Sequence, residues 1–329
     1  MQKNQIKTVD LIVSISDIDL RPDGPFRMSF DFNLEKLKMS IAKYGILNPP
    51  YIVKNLDDSF SVVAGYKRLL GAKELGWESA ECKLLPEDFP LLDALMLNLD
   101  DNLLHRKLNI IEKAMVIEKM LPFLKKDKII TDYLALLDIP ANKQNLELYL
   151  RLSELDEQIK VSIAKEILSL RVADLMQNID REHRLSINDL IISLKFSFNQ
   201  QLQLFQYLTE ISSREGRSIK NILNGSEINK ILTDKKTNAP QKGKAITTAL
   251  KKRRFPSLSE AEMAFKRGLS RLSLPSGVNI IPPAFFEGVN YKLEIVFSNG
   301  KELTGKLNNL NSLSGLIEVT EFWKGRGNS

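Results

Sequence analysis

The stretch Ser61–Trp77, SVVAGYKRLLGAKELGW, decides how the first part of this chain is read. Its alternating apolar run stops at Gly65, the adjacent cations Lys67 and Arg68 follow at once, and the helix they open stops at Gly76. A glycine at a strand-to-helix corner lets backbone amides approach a ligand closely. The helix start adds unpaired N–H groups and the positive end of the peptide dipoles. With two full positive charges added, the corner has the chemistry of a phosphate site. A solvated first helical turn is the plain alternative.

The neighbouring segments continue the alternation of strand and helix. TVDLIVSI (8–15) reads as a strand, and NLEKLKMSIAKYG (33–45) as a helix with Leu34, Leu37 and Ile41 on one face and Gly45 as its stop. PYIVKNLDDSFSVVAG (50–65) reads as two strands joined across Asp57 and Asp58. A strand at 79–85 and a helix at 90–102 complete a small α/β domain expected over 1–106. From 107 the strands stop. Asn109 with Glu112 three residues on is a capping-box start, and helical periodicity runs to Leu223, with loops at DIPANKQ and DREHRLS. Residues 107–223 are therefore expected to form an all-α domain. The lysine-rich, apolar-poor stretch 224–256 is the expected linker, and 257–329 a small α+β domain. Within that last domain, Ser259 with Glu262 is expected to cap a helix reaching Leu272. Asn299-Gly300 is expected to turn a hairpin, and NSLSGLIEVTEFW (311–323) to close the domain.

Composition narrows the classes. At 329 residues and 43% hydrophobic content the chain folds as two or three domains, and 47 Lys+Arg against 41 Asp+Glu give a net charge of +6. That mild excess favours a nucleic-acid or phosphate-bearing partner. The single cysteine, Cys82, excludes an internal disulfide framework and zinc sites built from paired cysteines. MQKNQIKTVDLIV lacks a signal-peptide core, and no apolar run approaches a membrane span of about 20 residues. A cytoplasmic protein with no membrane partner is expected.

Some 35 residues beyond the glycine corner, DNLLHRKLNIIEKA (101–114) places Asp101 and Asn102 before the capped helix at Asn109. Together the two stretches resemble the ParB family, in which a Gly-Glu-Arg-Arg corner and a Glu-Asn-x-x-Arg stretch leading into Leu-Asn-Pro-Ile-Glu-Glu-Ala frame a nucleotide site. YGILNPPYIV (44–53) is similar to the family's Gly-Leu-x-x-Pro-Ile-x-Val. The resemblance covers Val9 to Leu121 and implies a ParB/sulfiredoxin-type domain that binds a nucleoside triphosphate, CTP in the partition proteins, with Mg2+. Carried over position by position, Gly65, Lys67 and Arg68 would hold phosphates and Asn102 would help position the metal. Asp101 would stand where a glutamate supports hydrolysis, and Gly45, Asn48 and Pro49 would wall the base. Three departures stand out. Tyr66 replaces a glutamate, Lys67 replaces a two-pronged arginine, and the arginine after Glu-Asn falls on His105, with Arg106 one place late. Weak CTPase turnover is left open. The sulfiredoxin branch would need a cysteine inside the corner, and Cys82 lies on the following strand.

DKIITDYLALLDIPANKQNLELYLRLSEL (127–155) has the spacing of a helix-turn-helix, with Asn142, Lys143, Gln144 and Asn145 opening the second helix as candidate contacts to double-stranded DNA. A packing corner of a helical bundle is the alternative. Lys251, Lys252, Arg253 and Arg254 form the densest basic cluster, expected as a flexible phosphate-binding segment or a solvated charge run. His105 and His183 lack metal-ligand companions. The expectation is thus an α+β, ParB-like DNA-binding protein acting in chromosome or plasmid partition, with the C-terminal domain expected by analogy to form a homodimer and a partner ATPase left open. Two alternatives remain: a transcriptional regulator of the same fold that no longer binds nucleotide, and a ParB-like nuclease.

Overall fold

The computed structural model describes residues 6–323, so the first five residues of the N-terminal stretch read above lie outside it. The chain divides into two compact units, Met1–Ser193 and Leu194–Ser329.

The first unit opens with β1 (Val9–Ser14) and β2 (Ile18–Asp19), followed by α1 (Glu35–Tyr44), β3 (Tyr51–Lys54), β4 (Phe60–Ala64), α2 (Tyr66–Glu74), β5 (Ser79–Leu84) and α3 (Leu91–His105). The strands form one mixed sheet in the order β1-β5-β3-β4-β2. β1 runs antiparallel to β5 and β3 antiparallel to β4, while β3 with β5 and β2 with β4 are parallel. Asp58 takes a φ of 63° in the β3–β4 connection, a conformation Asp tolerates better than most residues. Val13, Ile18, Ile52, Val62 and Ala80 from the sheet, Ile15 from the 3-10 turn between β1 and β2, and Leu69 and Ala72 of α2 make the core. α1 ends at Gly45 (φ 75°), whose N–H donates to the Ile41 carbonyl at 2.9 Å. A Cβ at Gly71 would come within 3.1 Å of Ile41 Cδ1, so the glycine sets how closely α1 and α2 approach.

α4 (Ile110–Met120) begins with the capping box expected at Asn109, and both reciprocal bonds with Glu112 are present. Several bonds tie α4 to the loop before α1. The Phe30 N–H donates to Glu112 Oε1 at 3.1 Å, Asn109 Nδ2 to the Phe30 carbonyl at 3.2 Å, and Lys119 Nζ to the Gly24 carbonyl at 2.8 Å. The domain boundary expected at 106 therefore falls inside a bonded network. A single turn, α5 (Lys126–Lys128), runs on through a π-helical turn at Ile129–Tyr133 and a 3-10 turn at Ala135–Leu137. α6 (Lys143–Leu152), α7 (Glu157–Ala164), α8 (Leu170–Met176) and α9 (Arg181–Leu194) follow. DREHRLS, expected as a loop, instead opens α9. Asp156 accepts from Arg181 and Arg184 at 2.6 and 2.5 Å.

The second unit comprises α10 (Phe198–Glu215), α11 (Ile219–Leu223), α12 (Ser226–Thr233), α13 (Ala239–Arg254), α14 (Pro256–Arg271), β6 (Val278–Ile281), β7 (Lys292–Ile295) and α15 (Gly300–Asn311). The boundary expected at 223 lies within this unit. Residues 224–256, expected as a linker, are largely the two helices α12 and α13, with Gly243, Ile246 and Leu250 buried on one face of α13. The start expected at Ser259 also moves, since α14 begins at Pro256. The hairpin expected at Asn299-Gly300 is absent. Asn299 caps α15 by accepting from the Glu302 N–H at 3.0 Å, and the antiparallel pair is β6 with β7. Phe265, Leu272, Phe286 and Val319 form the local core of this α+β region.

Candidate functional site

Between the glycine corner and the end of α3 lies a cleft of about 300 Å3. It brings together Asn48, Gly65, Lys67, Arg68, Asp101 and Asn102 of the residues expected from sequence, along with Tyr66, His105 and Arg106. Gly45 and Pro49 do not line it. Gly45 serves as the end of α1, where a Cβ would sit 3.9 Å from the Trp77 ring. Gly65 has a φ of 96°, and a Cβ there would fall 2.9 Å from Pro50 Cβ and 3.1 Å from the Arg68 guanidinium carbon. Glycine is thus required twice, by the left-handed backbone and by the Pro50 Cβ packed against it.

The cations of the cleft are held in two ways. Arg68 donates to the Asn48 carbonyl at 2.5 Å and to Asp101 Oδ2 at 3.2 Å, and His105 Nε2 lies 3.7 Å from Asp101 Oδ1. Arg106 donates to Glu112 Oε2 at 2.5 Å and, through Nε and Nη2, to Asn102 Oδ1 at 3.0 and 2.8 Å. Glu112, only 2% exposed, thereby anchors the arginine while accepting from the Phe30 and Asn109 backbones. Lys67 and Arg27 are held differently. Lys67 Nζ sits 4.7 Å from the Phe32 ring centroid, and the Arg27 guanidinium 4.9 Å from that of Tyr66. Among the described residues no carboxylate lies within ion-pair distance of either. Burial first, and then the charge of Arg106, hold the Lys67 ammonium below the ordinary lysine range, with Glu112 pulling the other way and Arg27 adding a smaller push.

Sequence reasoning left His105 and Arg106 as competitors for one role, and both line the cleft. Arg27, Asn98 and the loop at Met28 and Ser29 were not foreseen, because nothing in their spacing marks them; the Asn98 amide, which donates to the Phe26 carbonyl, orients Asn102 at 2.7 Å. The side-chain oxygens expected to meet a magnesium ion are engaged with cations in this structure. The one acceptor oxygen of Asn102 already faces two guanidinium donors, and the Asp101 oxygens face Arg68 and His105. A divalent ion there would share these oxygens with the cations that face them and would draw its other ligands from phosphate and water.

Residues 1–99 match the family profile of the ParB N-terminal domain. The chain carries a ParB N-terminal domain. Its cleft draws Asp101, Asn102, His105 and Arg106 from just past the matched residues. Among similar proteins, the nucleoid occlusion protein of Bacillus cereus (strain ATCC 10987 / NRS 248) is 24% identical over 180 residues, 50% of this chain and 61% of that protein. The chain thus spans less than two thirds of that relative. The nucleoid occlusion protein of Bacillus thuringiensis (strain Al Hakam) is 24% identical over 244 residues, 73% of this chain and 74% of that protein. A solved structure of C-terminally truncated ParB from Caulobacter crescentus complexed with CTP-gamma-S is 20% identical, covering 56% of this chain and 99% of that one at a TM-score of 0.26. The same protein complexed to the centromeric parS site is 17% identical, covering 58% and 96% at a TM-score of 0.32.

Beyond the ParB domain, the candidate DNA residues divide by what they already bind. Asn142 caps α6, accepting from the Asn145 N–H at 2.9 Å, and the Asn145 amide donates to the Pro140 carbonyl at 2.9 Å. Lys143 and Gln144 are exposed on the first turn of α6. Lys251 to Arg254 form the last turn of α13, where cations complement the negative end of the helix. The expectation of a flexible segment is corrected here. Lys251 pairs with Glu262 at 2.9 Å, Arg253 donates through Nε to Glu215 at 2.9 Å, and Arg254 pairs with Glu210. Lys252 is the exposed member of the four.

Proposed function

We propose that the cleft of the ParB domain binds a nucleoside triphosphate, with CTP the first candidate, and that the chain is a ParB-like DNA-binding protein acting in partition or maintenance of DNA. The observation that carries this reading is the cleft's charge balance. Lys67, Arg68 and Arg106 line the cleft around a glycine corner with Asp101 as its one lining carboxylate, and among the described residues Lys67 has no carboxylate within ion-pair distance. A cleft with surplus positive charge, walls of low dielectric and a helix N-terminus is built for a polyanion. Similarity to nucleoid occlusion proteins and the match of residues 1–99 to the ParB N-terminal domain support the reading. Lys143 and Gln144 are the side chains offered to duplex DNA. Assembly as a homodimer belongs to the same proposal.

The test is calorimetric titration of CTP, ATP, GTP and UTP, in magnesium buffer and in EDTA, with and without duplex DNA. Selective triphosphate binding that is lost in a Lys67→Ala, Arg68→Ala double variant is expected. Unchanged binding in that variant overturns the assignment of the corner.

A second reading keeps the DNA binding and drops the nucleotide. Arg68 already spends its donors on Asn48 and Asp101, and Lys67 lacks an arginine's fork, which favours a regulator indifferent to CTP. Absence of binding by every triphosphate would select it. A nuclease has less to build on, because among the described residues no group of three or more His, Cys, Asp or Glu side chains could hold a metal ion.

A further inference from the structure

The positive charge of this chain is concentrated in one part of the second unit. Residues 216–254 carry eleven Lys and Arg against only Glu227 and Asp234, a net +9, while the remainder of the chain has 36 against 39 and is net acidic. Lys251, Arg253 and Arg254 are paired with Glu262, Glu215 and Glu210. Of the others, four lie along α13 and the turn before it. The buried side of α13 is Gly243, Ile246 and Leu250, and its exposed side is a stripe of Gln241, Lys244, Thr248 and Lys252, spaced three or four residues apart. Lys235 and Lys236 are exposed in the turn that leads into it.

Two ordinary explanations of these lysines fail. A helix face made only for water interleaves acids with its cations at three- and four-residue spacing, because like charges there repel. The stripe contains no acid. Cations also complement a helix's own dipole, but only at its C-terminal end, where Arg253 and Arg254 sit. Lys235, Lys236 and Lys244 lie toward the opposite, positive end. Asp234, the acid next to the turn, accepts from the Lys236 N–H at 2.9 Å and the Thr237 hydroxyl at 3.3 Å, and among the described residues none of the four exposed lysines is in an ion pair. The backbone beneath them is held firmly. Asn238 and Gln241 close a capping box, and Lys242 Nζ donates to the Leu232 carbonyl at 2.6 Å, tying α13 to α12. Repulsion is thus carried by ordered structure, and a polyanion laid along it would relieve it.

We propose that the exposed stripe of α13, with the Lys235–Lys236 turn, is a second nucleic-acid contact that grips the backbone of duplex DNA without reading its sequence. From Gln241 to Lys252 the stripe runs about 16 Å, and over that length a duplex presents roughly ten phosphates. Gln241, the one amide on the stripe, is committed to the cap, where its Oε1 accepts from the Asn238 N–H at 3.0 Å, so no side chain here is offered to base edges. The inference rests on the DNA-binding reading above and divides its labour. Lys143 and Gln144 on α6 meet the duplex at one place, and α13 adds affinity that is the same for every sequence.

The test is fluorescence anisotropy of labelled duplexes of unrelated sequence across a salt series, using the full chain. The parent is compared with a variant carrying Lys235→Gln, Lys236→Gln, Lys244→Gln and Lys252→Gln, and with a control of equal net charge carrying Lys36→Gln, Lys73→Gln, Lys266→Gln and Lys301→Gln. All eight lysines are exposed. The α13 variant is expected to weaken binding to every duplex alike and to reduce the slope of log affinity against log salt by about 3 to 4, at about 0.9 per lost phosphate contact. Arginine at the same four positions should keep the parent's slope, and the control should stay close to it. An equal fall in the control would reduce the effect to net charge and overturn the proposal. So would an unchanged slope in the α13 variant, while a parent that still bound duplex would leave the DNA-binding reading standing. Amine-reactive labelling of the parent with and without duplex, read by mass spectrometry, tests the same contact without any substitution: Lys235, Lys236, Lys244 and Lys252 should be protected, and full reactivity at all four overturns it. A parent that binds no duplex overturns both readings.

Discussion

Lys67 shows how one side chain records the purpose of its surroundings. Its ammonium is desolvated and faces Arg106 and Arg27, so its pKa lies below the ordinary 10.5. The linkage follows from that direction. Below the lowered value Lys67 is charged in both folded and unfolded chains, and its burial costs stability. As pH rises through the lowered value toward 10.5, the folded state gives up the proton first and that cost disappears. A polyanion in the cleft reverses the shift by favouring the charged form. Triphosphate binding just below pH 10.5 should therefore take up a proton, seen as a dependence of the calorimetric heat on the buffer's ionisation enthalpy. Lys67→Ala should abolish that dependence. Uptake that persists in the variant would place the responding group elsewhere. Gly65 makes the complementary point: its left-handed φ of 96° and the Pro50 Cβ packed against it explain why the corner could be read from sequence at all. Met28 and Ser29 could not, since what places them in the cleft is the return of their loop beside Tyr66, and spacing along the chain carries no trace of that.

At the level of elements, legibility followed local hydrogen bonding. The capping box at Asn109 and Glu112, the stop at Gly45 and the strand β5 were readable because their signals lie within a few residues. α13 was misread because its composition resembles a linker while its packing needs small residues. A Cβ at Gly243 would meet the Phe196 ring at 3.1 Å, so the glycine is a contact point rather than a hinge. A capping box at Asn238 and Gln241 with Pro240 in the first turn was the available signal. At Asn299-Gly300 two local codes competed, and the cap prevailed. Glu302 is held by Ser298 and Lys306, first by the lysine, with its carboxyl lowered to about 2. β5 carries a prediction of its own through Cys82, which is fully buried in the sheet core, with its thiol pushed up to about 11 by burial and then by Glu81. Below pH 9.0 the thiol is neutral whether folded or not, and its contribution to stability is complete. Between 9.0 and about 11 the unfolded chain ionises first and the contribution is lost. The stability advantage of the parent over Cys82→Ala should therefore shrink across that window in urea unfolding. An advantage that does not change with pH would show that the thiol titrates normally and that the strand opens to water.

At the scale of the whole molecule, the net charge of +6 is a poor guide to where a nucleic acid would bind, because the densest basic cluster is largely paired already. Lys251, Arg253 and Arg254 hold Glu262, Glu215 and Glu210, and Arg214 donates to the Arg253 and Arg254 carbonyls at 2.6 and 2.9 Å. These cations join α13 to α10 and α14 inside the second unit, and releasing them to phosphate would cost that unit its ion pairs. Among the described residues Lys143 and Gln144, exposed on the first turn of α6, show no such ion pair, and the positive end of the helix lies behind them. The two sites therefore make opposite predictions. Lys143→Ala should weaken binding to any duplex and reduce the slope of log affinity against log salt by about one, the signature of one lost phosphate contact. Arg253→Ala should lower the unfolding midpoint of the second unit and leave the salt slope close to the parent's. Fluorescence anisotropy of a labelled duplex across a salt series, with denaturant melts of both variants, reads both quantities. A reduced slope in Arg253→Ala with no loss of stability would move the DNA face to the end of α13 and make its ion pairs exchangeable rather than structural.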